Sequence, residues 1–388
     1  ENMSRQSPLV VSDGSASFAE AAPAGIGSNE RAAKRQKGGR TWTCGVCTLI
    51  NESAADSCDV CEARRAPLID LCESDSNAAT PPPREAAPAA GERRASSVSV
   101  LSFNVWFHHP ETFATRMAEV GRLADVGCTG ARSLRSATTP PALLALQELT
   151  PSLLAQLQPH LARAGYRPPF VQPWREGGFN GMEHYCVALA TRPPLGPLEQ
   201  PRYCPFSESI MGRGLVMARV QWPGVGHLLV GTAHLESWVG NEPRVNAAVI
   251  RARQKGLKQA CSLLEAEVAA TGCIGALLVG DMNWQEKDNG DARALLSPQW
   301  KDAWEAMGAP KEFSATCGFS WRLDRCFYYA SPQAQGMASL QPTDMALIGR
   351  PGEGLLKGCT FIKGSNAQAK PKPLPPSDHK GLLVSFTC

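Results

Sequence analysis

Apolar runs in this chain repeatedly begin or end on a residue that could do chemistry. VSVLSF is followed by Asn104, ALLAL by Gln147 and Glu148, and LLVGTA by His234. GALLVG leads into Asp281 and, two residues on, Asn283. Asp324 lies in RLDR, and Asp378 and His379 precede GLLVSF by one lysine. A cap or a turn explains one such residue. It does not explain Asn, Glu, Asp and His arriving together at so many strand ends, which is where sheet scaffolds carry their chemistry. The residue types point to a phosphoester. Glu148 is a hard oxygen ligand suited to Mg²⁺, which favours carboxylate, water and phosphate; Mn²⁺ accepts the same oxygen ligands. Carboxylate and amide side chains orient water and phosphate, and imidazoles donate hydrogen bonds or protons to phosphoryl oxygens. Nothing in the chain reads as a P-loop, a serine elbow or a zinc-protease helix.

A second chemistry sits near the start. In TWTCGVCTLINESAADSCDVC, two residues separate Cys44 from Cys47 and two separate Cys58 from Cys61, with ten between the pairs. Four thiolates so spaced can hold one tetrahedral Zn²⁺. A module this small has no core of its own, so metal binding would be its folding energy. Two disulfides in a secreted knot are the alternative. The remaining cysteines, of 14 in all, are scattered without pairing; a reducing compartment and free thiols fit that pattern better.

Elements able to position these groups follow from periodicity. Strands are expected at 97–106, 142–148, 185–190, 214–220, 228–234, 275–283, 322–329 and 381–387. Helices are expected after Pro110, over 151–165 (opening on Pro and closing on Gly) and over 244–270, bent at Gly256. The mixture of alternating and continuous apolar strands with helices argues for an α/β protein with mixed or antiparallel sheets. Four segments result. Residues 1–40 are a polar, disordered tail in which Arg31, Lys34, Arg35, Lys37 and Arg40 form a basic run. Residues 41–63 are the finger, 64–94 a stiff Pro/Ala-rich linker, and 95–388 the catalytic body. Residues 363–376 read as a Lys- and Pro-rich loop. The net charge of +3 neither demands nor excludes nucleic acid. No apolar run is long enough to span a membrane, and no signal-peptide pattern is present.

In their order along the chain, LSFNVW, LALQE, TAHLES, GDMN, RLDR and SDH resemble the signatures of the endonuclease/exonuclease/phosphatase superfamily over residues 97–388. The resemblance implies a four-layer α/β sandwich, two packed mixed β-sheets flanked by helices. The nearer similarity is to the branch that cleaves tyrosyl adducts from DNA 5′ ends, where trapped topoisomerase II leaves them. PFSESIMGRGLVMARV (205–220) looks like that branch's substrate-contacting segment and puts Arg213 in that role. Phe103 stands where the branch has Trp, and the approach GFSWRLDR is short.

The roles implied are specific. Glu148 holds Mg²⁺, with Asp378 reaching the metal through solvent and Asn104 positioning phosphate or water. Asp281 orients or deprotonates the attacking water and Asn283 fixes the phosphate. His379 stabilises the transition state, Asp324 fixes its tautomer, and His234 binds a second phosphoryl oxygen. Tyr185 and Trp321 are expected to stack on bases or on the leaving tyrosyl ring, with Trp238 and Trp284 shaping the cleft. A phenolate leaves readily because its conjugate acid has a pKa of about 10. The finger resembles the RanBP2 type, which binds ubiquitin or single-stranded RNA. Thr48, Leu49 and Val60 occupy the positions used by the ubiquitin-binding kind, so ubiquitin or a ubiquitylated protein is its expected partner. A monomer in the nucleus, and also the cytoplasm, completes the expectation.

Blander readings stand beside these. On these, Asn104 only caps a strand turn, His234 is a satisfied buried histidine, and Asp281 and Asn283 form an Asx turn. Asp324 then merely pairs with Arg322 or Arg325, and Arg213 with a surface acid. Functionally, the alternatives are another phosphodiesterase of the superfamily (abasic endonuclease, 3′-exonuclease or deadenylase, phospholipid phosphodiesterase) or a non-enzymatic adaptor. An adaptor has no need of the intact polar set.

Overall fold

The computed structural model describes residues 41–43, 50–52, 97–127, 140–174, 184–238, 243–318, 321–332, 339–351, 354–361 and 371–388. Cys44, Cys47, Cys58, Cys61, Thr48, Leu49 and Val60 lie outside the described residues, as do the tail, the linker, Lys363 and Lys370. Thr41–Thr43 (β1) and Ile50–Glu52 (β2) pair antiparallel with Trp42 opposite Asn51.

The body follows from Ser97. Its first strands are Ser97–Asn104 (β3), Leu143–Leu149 (β4), Phe170–Val171 (β5), Cys186–Thr191 (β6), Leu198–Pro205 (β7), Gly214–Trp222 (β8), Gly226–His234 (β9) and Gly275–Asp281 (β10). Trp300–Asp302 (β11), Asp324–Ala330 (β12), Gln341–Ile348 (β13), Thr360–Phe361 (β14), Lys372–Pro373 (β15) and Gly381–Thr387 (β16) complete the set. The main helices are Phe113–Val126 (α1), Pro151–Arg163 (α2) and Pro243–Thr271 (α3). One sheet runs β11-β12-β10-β9-β8-β7 and the other β13-β16-β3-β4-β6-β5. Both are mixed: β9–β10 and β3–β4 are parallel, whereas the other pairs in these two sheets are antiparallel.

Strand alternation makes the layers. Val98 and Val100, Leu143 and Ala145, Leu228 and Val230, and Leu277 and Val279 meet in one core between the sheets. The residues in between face outward. Leu101, Phe103, Leu144 and Leu146 pack beneath α1 and α2, and Leu229, Ala276 and Leu278 pack beneath α3. Helix, sheet, sheet, helix is the expected α/β sandwich. α2 is capped by the Thr150 side chain, which accepts from the Leu153 amide, and it buries Leu153, Leu157 and Leu161 at four-residue intervals. α3 continues unbroken through Gly256. There the missing side chain makes room for Leu235 and Phe206. β7 and β13 were not foreseen because both are edge strands, hydrogen-bonded on one side only. Polar residues and Pro blur their pattern.

Gly280 is a residue that the sheet cannot exchange. Its φ is 148°, and a Cβ there would collide with the Ala233 carbonyl oxygen of β9. Gly280→Ala should separate the β9–β10 pair just where it delivers His234 and Asp281. The expected loss is about 2–3 kcal/mol of stability, read by chemical denaturation, and an unchanged midpoint would count against the close approach.

Candidate active site

The same alternation that builds the inter-sheet core aims the polar residues. Asn104 continues the face of Val98 and Val100, His234 that of Leu228 and Val230, Asp281 that of Leu277 and Val279, and Asp324 that of Cys326 and Tyr328. Each is the terminal rung of a ladder facing the opposite sheet, Asp324 opening its strand and the other three closing theirs. Register sets them side by side, with Asp281 opposite His234 on β9 and opposite Asp324 on β12. All four are about 1% exposed or less. The Asn104 amide joins the sheets, donating to Glu148 Oε1 at 3.1 Å and to Asp281 Oδ2 at 3.0 Å. Behind it, Gln147 Nε2 donates to Thr232 Oγ1 at 3.0 Å, a second link between the sheets.

Glu148 reaches this cluster only through an irregularity. Counting from Leu144 and Leu146, simple alternation would turn it toward the helices. The β4–β6 register shifts between Leu146 and Leu149, and Glu148 takes φ 57°. A bulge of this kind re-aims a side chain, and Glu148 Oε2 accepts from the Phe107 amide at 3.3 Å. Asn283 also has a positive φ, 47°. Its amide donates to Asp281 Oδ1 at 2.9 Å and its side chain to the Leu235 carbonyl at 3.1 Å. The Asx turn and the site are therefore one structure. Left-handed backbone in non-glycine residues is costly and gathers at functional centres.

The two imidazoles are driven apart electrostatically. Burial works to lower the His379 pKa. The Asp324 and Asp281 carboxylates, with the ring's hydrogen bonds to Asp324 and Cys317, outweigh it and hold the group well above its ordinary value. Its Nδ1 lies 2.8 Å from Asp324 Oδ2 and its Nε2 lies 3.8 Å from Asp281 Oδ2. His234 moves the other way: burial and the Arg213 guanidinium depress it well below 6.5, against the pull of Asp281. Arg213 Nη1 faces His234 Nδ1 at 3.0 Å. Because Arg can only donate, Nδ1 must accept and Nε2 must carry the proton. That Nε2 is buried without a hydrogen-bond partner, 3.4 Å from Asp281 Oδ2. It is a donor held ready for an acceptor such as a phosphoryl oxygen.

The donor set suits a hard divalent cation. Ligand atoms of Glu148, His234 and Asp281 lie within 4.8 Å of one another, as do those of Asp281, Asp324 and His379. The second group is already tied together by the cationic His379. In the first, burial and then the Asp378 carboxylate raise Glu148 to about 7, against the Asn104 hydrogen bond. A carboxylate so crowded by negative charge is relieved by a metal. Two clusters of this kind support a metal-dependent hydrolase.

The outlying residues divide. Asp324 pairs with His379, whereas Arg322 and Arg325 take Asp302 and Glu286. Arg213 is buried and no surface ion pair; it donates to Tyr185 Oη at 2.8 Å and Ser237 Oγ at 3.2 Å as well as facing His234. Tyr185 lies half-buried above it, 4.7 Å from ring to guanidinium. Trp321 is 49% exposed and lines a shallow depression with Gln285, Lys287 and Trp284. Trp284 is itself core, its indole donating to the Gly290 carbonyl. Trp238 stacks on Arg253 at 5.3 Å, and Lys372 is exposed on β15. Asp378 is exposed, near enough to act on Glu148. Sequence reasoning passed over Glu236, a buried carboxylate that accepts from Ser209 Oγ and the amides of Ile210 and Met211. It organises the loop whose Ser209 receives the Arg213 amide. Its place directly after His234-Leu235 was the available signal. Arg116 was likewise passed over; buried, it donates to the carbonyls of Val105, Trp106, His108 and Pro376 and ties the loops beside Glu148 together. Arg213→Met should free the His234 tautomer and lower kcat by about 10–100-fold. Steady-state kinetics beside a melting curve would check this, and a variant that only melts earlier would make Arg213 structural.

Residues 101–379 match the model of the Endonuclease/Exonuclease/phosphatase family. No curated protein matches the chain. Among solved structures, truncated TDP2 from Caenorhabditis elegans is similar at a TM-score of 0.52, with 18% identity over 75% of this chain and 98% of that one. TDP2 from D. rerio, complexed with a single-strand DNA product, gives 0.51 and 21% over 76% and 100%. The human Nocturnin catalytic domain with bound sulfate anion gives 0.51 and 15% over 75% and 94%. At these identities the likeness is one of fold. The family match, by contrast, begins within β3 and ends on His379, embracing every group of the cluster, and on that ground the chain belongs to the endonuclease/exonuclease/phosphatase family.

Proposed function

We propose that the protein is a metal-dependent phosphodiesterase that hydrolyses the phosphotyrosyl bond left at a DNA 5′ end by trapped topoisomerase II, leaving a 5′-phosphate. The observation that carries the phosphoester chemistry is the single hydrogen-bonded cluster in which Asn104 joins Glu148 to Asp281, beside a charged His379 and a neutral His234. TAHLES and the MGRGL stretch around Arg213 favour the tyrosyl branch, and the similar D. rerio TDP2 was captured with single-strand DNA.

In this reading Asp281 orients the attacking water and accepts its proton, with Asn104 and Asn283 holding the carboxylate in place. His379, fixed by Asp324, places positive charge against the phosphoryl oxygens as negative charge grows there. His234 donates its unpaired Nε2 proton to a second phosphoryl oxygen. A divalent cation, Mg²⁺ or Mn²⁺, held by Glu148 with Asp378 acting through solvent, would supply charge neutralisation at the phosphate. The phenolate departs without a strong acid. The Cys44, Cys47, Cys58 and Cys61 segment holds Zn²⁺ in the same proposal and docks ubiquitin through Thr48, Leu49 and Val60. The protein acts as a monomer, in the nucleus and also the cytoplasm.

The test uses the full chain with oligonucleotides carrying a 5′-phosphotyrosine, a 3′-phosphotyrosine or an abasic site, each with Mg²⁺, with EDTA and with Glu148→Gln. Tyrosine release from the 5′ end that needs the metal and Glu148 is the expected result. Cleavage confined to the abasic or 3′ substrate would keep the chemistry and overturn the substrate.

A further inference from the structure

Asp324 meets His379 through one oxygen. Its Oδ2 lies 2.8 Å from His379 Nδ1, whereas its Oδ1 is buried with no hydrogen-bond partner among the described residues. A carboxylate bonded through a single oxygen is not oriented by its own side-chain contacts, so its place depends on the backbone that carries it. That backbone is gripped by a residue 8 positions earlier. Thr316, 1% exposed, accepts on Oγ1 from the amides of Leu323 and Asp324, each at 3.0 Å. Its own hydroxyl proton faces the Trp321 carbonyl at 3.4 Å. The donor and both acceptor lone pairs of the hydroxyl are then all engaged.

The same segment holds the imidazole. The Thr316 carbonyl accepts from the Lys380 amide, next to His379, at 2.8 Å. Cys317 forms an isolated antiparallel bridge with His379 and a side-chain hydrogen bond with its ring. The amides of Thr316 and Cys317 both donate to the Trp321 carbonyl at 2.9 Å, which keeps the segment against the start of β12. The Leu323 carbonyl in turn accepts from the Met282 amide at 2.9 Å, beside Asp281. Thr316 thus bonds Asp324 through its side chain and the His379 segment through its carbonyl, bridging the two partners of the 2.8 Å contact.

We propose that Thr316 is a positioning residue for hydrolysis, its hydroxyl setting the Asp324–His379 pair in the geometry that aims His379 at the phosphoryl group. The proposal rests on the phosphodiesterase reading of this cluster, though not on which ester is cleaved. Val at this position keeps the branched shape and removes the acceptor. The buried Leu323 and Asp324 amides then turn toward other acceptors, and Asp324 Oδ2 leaves Nδ1. A displacement of about 1 Å from the reacting geometry costs about 10²-fold in rate. Ser keeps the acceptor and loses only a methyl group. Cys offers a sulfur that accepts weakly. Thr316 is itself buried away from any ligand, so its loss belongs in kcat rather than in KM.

The test follows the full chain with Mg²⁺ by two readouts. One is kcat and KM on whichever of the 5′-tyrosyl, 3′-tyrosyl and abasic oligonucleotides the wild type cleaves fastest. The other is the downfield imidazole proton on His379 Nδ1 in ¹⁵N-histidine-labelled protein, assigned by its absence in His379→Gln. Thr316→Val should lower kcat about 10–100-fold with KM little changed, and should move that resonance upfield or abolish it. Thr316→Ser should restore both to near wild type. Thr316→Cys should fall between them, and it takes the place of the Val variant if that one does not fold. Thr191→Val is the stability control. Thr191 is equally buried and donates to the Gly196 carbonyl at 2.9 Å, at the end of β6 away from Tyr185. Its loss should lower the melting temperature and move neither readout. An unmoved resonance in Thr316→Val or Thr316→Cys, no recovery in Thr316→Ser, or a rate loss no larger than that of Thr191→Val overturns the proposal while the phosphodiesterase reading stands. A wild type that cleaves none of the esters brings down that reading, and the proposal with it.

Discussion

Asp281→Asn should lower turnover of a cleavable phosphodiester by about 10²–10⁴-fold, the usual worth of a positioned general base. The exchange is isosteric, but the site has no place for a donor. Asp281 Oδ1 accepts from the Asn283 amide and Oδ2 accepts from Asn104 Nδ2, with the His379 and His234 Nε2 atoms 3.8 Å and 3.4 Å away. Either orientation of the new amide sets an N–H against one of these donors. A buried mismatch of that sort costs about 1–3 kcal/mol, so thermal stability should fall measurably while the fold survives. Removing the charge also withdraws one of the two carboxylates that hold His379 cationic. The activity loss should therefore exceed anything the stability loss explains, as single-turnover rates well below the melting temperature would show. Near-wild-type rates there would remove Asp281 from the chemistry.

The second large effect concerns pH and metal together. Burial and the Asp378 carboxylate raise Glu148 from its ordinary 4.5 to about 7 in the metal-free protein. Between those values the folded chain holds a proton that the unfolded chain has released. Stability from this group is thus present at low pH and lost as pH rises through about 7, a change of about 3 kcal/mol. The metal-free melting temperature should fall between pH 5 and pH 8. His379, also raised, contributes in the same direction, since its folded-state proton is lost only at higher pH. Glu148→Gln isolates the carboxylate and should flatten the profile. A divalent cation should restore the wild type most at pH 8, because the ligand must be ionised to bind it, and should do little for Glu148→Gln. Parallel pH profiles in wild type and variant would sink the account.

Much of the site was legible because strand periodicity is a local property. Val98, Val100 and Asn104 share a face by counting in twos, as do Leu277, Val279 and Asp281, so the last polar residue of each strand had to look into the same layer as the core. The α/β class with mixed sheets followed from the mixture of strand and helix patterns, and the four-layer sandwich from the family resemblance. The edge strands β7 and β13 did not, because half-exposed pairing leaves a mixed pattern. Glu148 marks the boundary within the site itself. Its residue type was plain, yet alternation alone would have turned it from the cluster; only the bulge against β6 and its left-handed backbone bring it beside Asn104. Arg213 shows the same limit, for nothing local to MGRGL says that its guanidinium is buried against His234 rather than in solvent. The stacked rings of Phe107 and Tyr185 come from residues nearly eighty positions apart, and they meet only once β3, β4 and β6 pair. The sequence by itself determined which groups stand at the strand ends and the chemistry open to them. The tertiary structure decided which of them touch and which imidazole is charged, because distances across two sheets, and the dielectric between them, are properties of the packed chain.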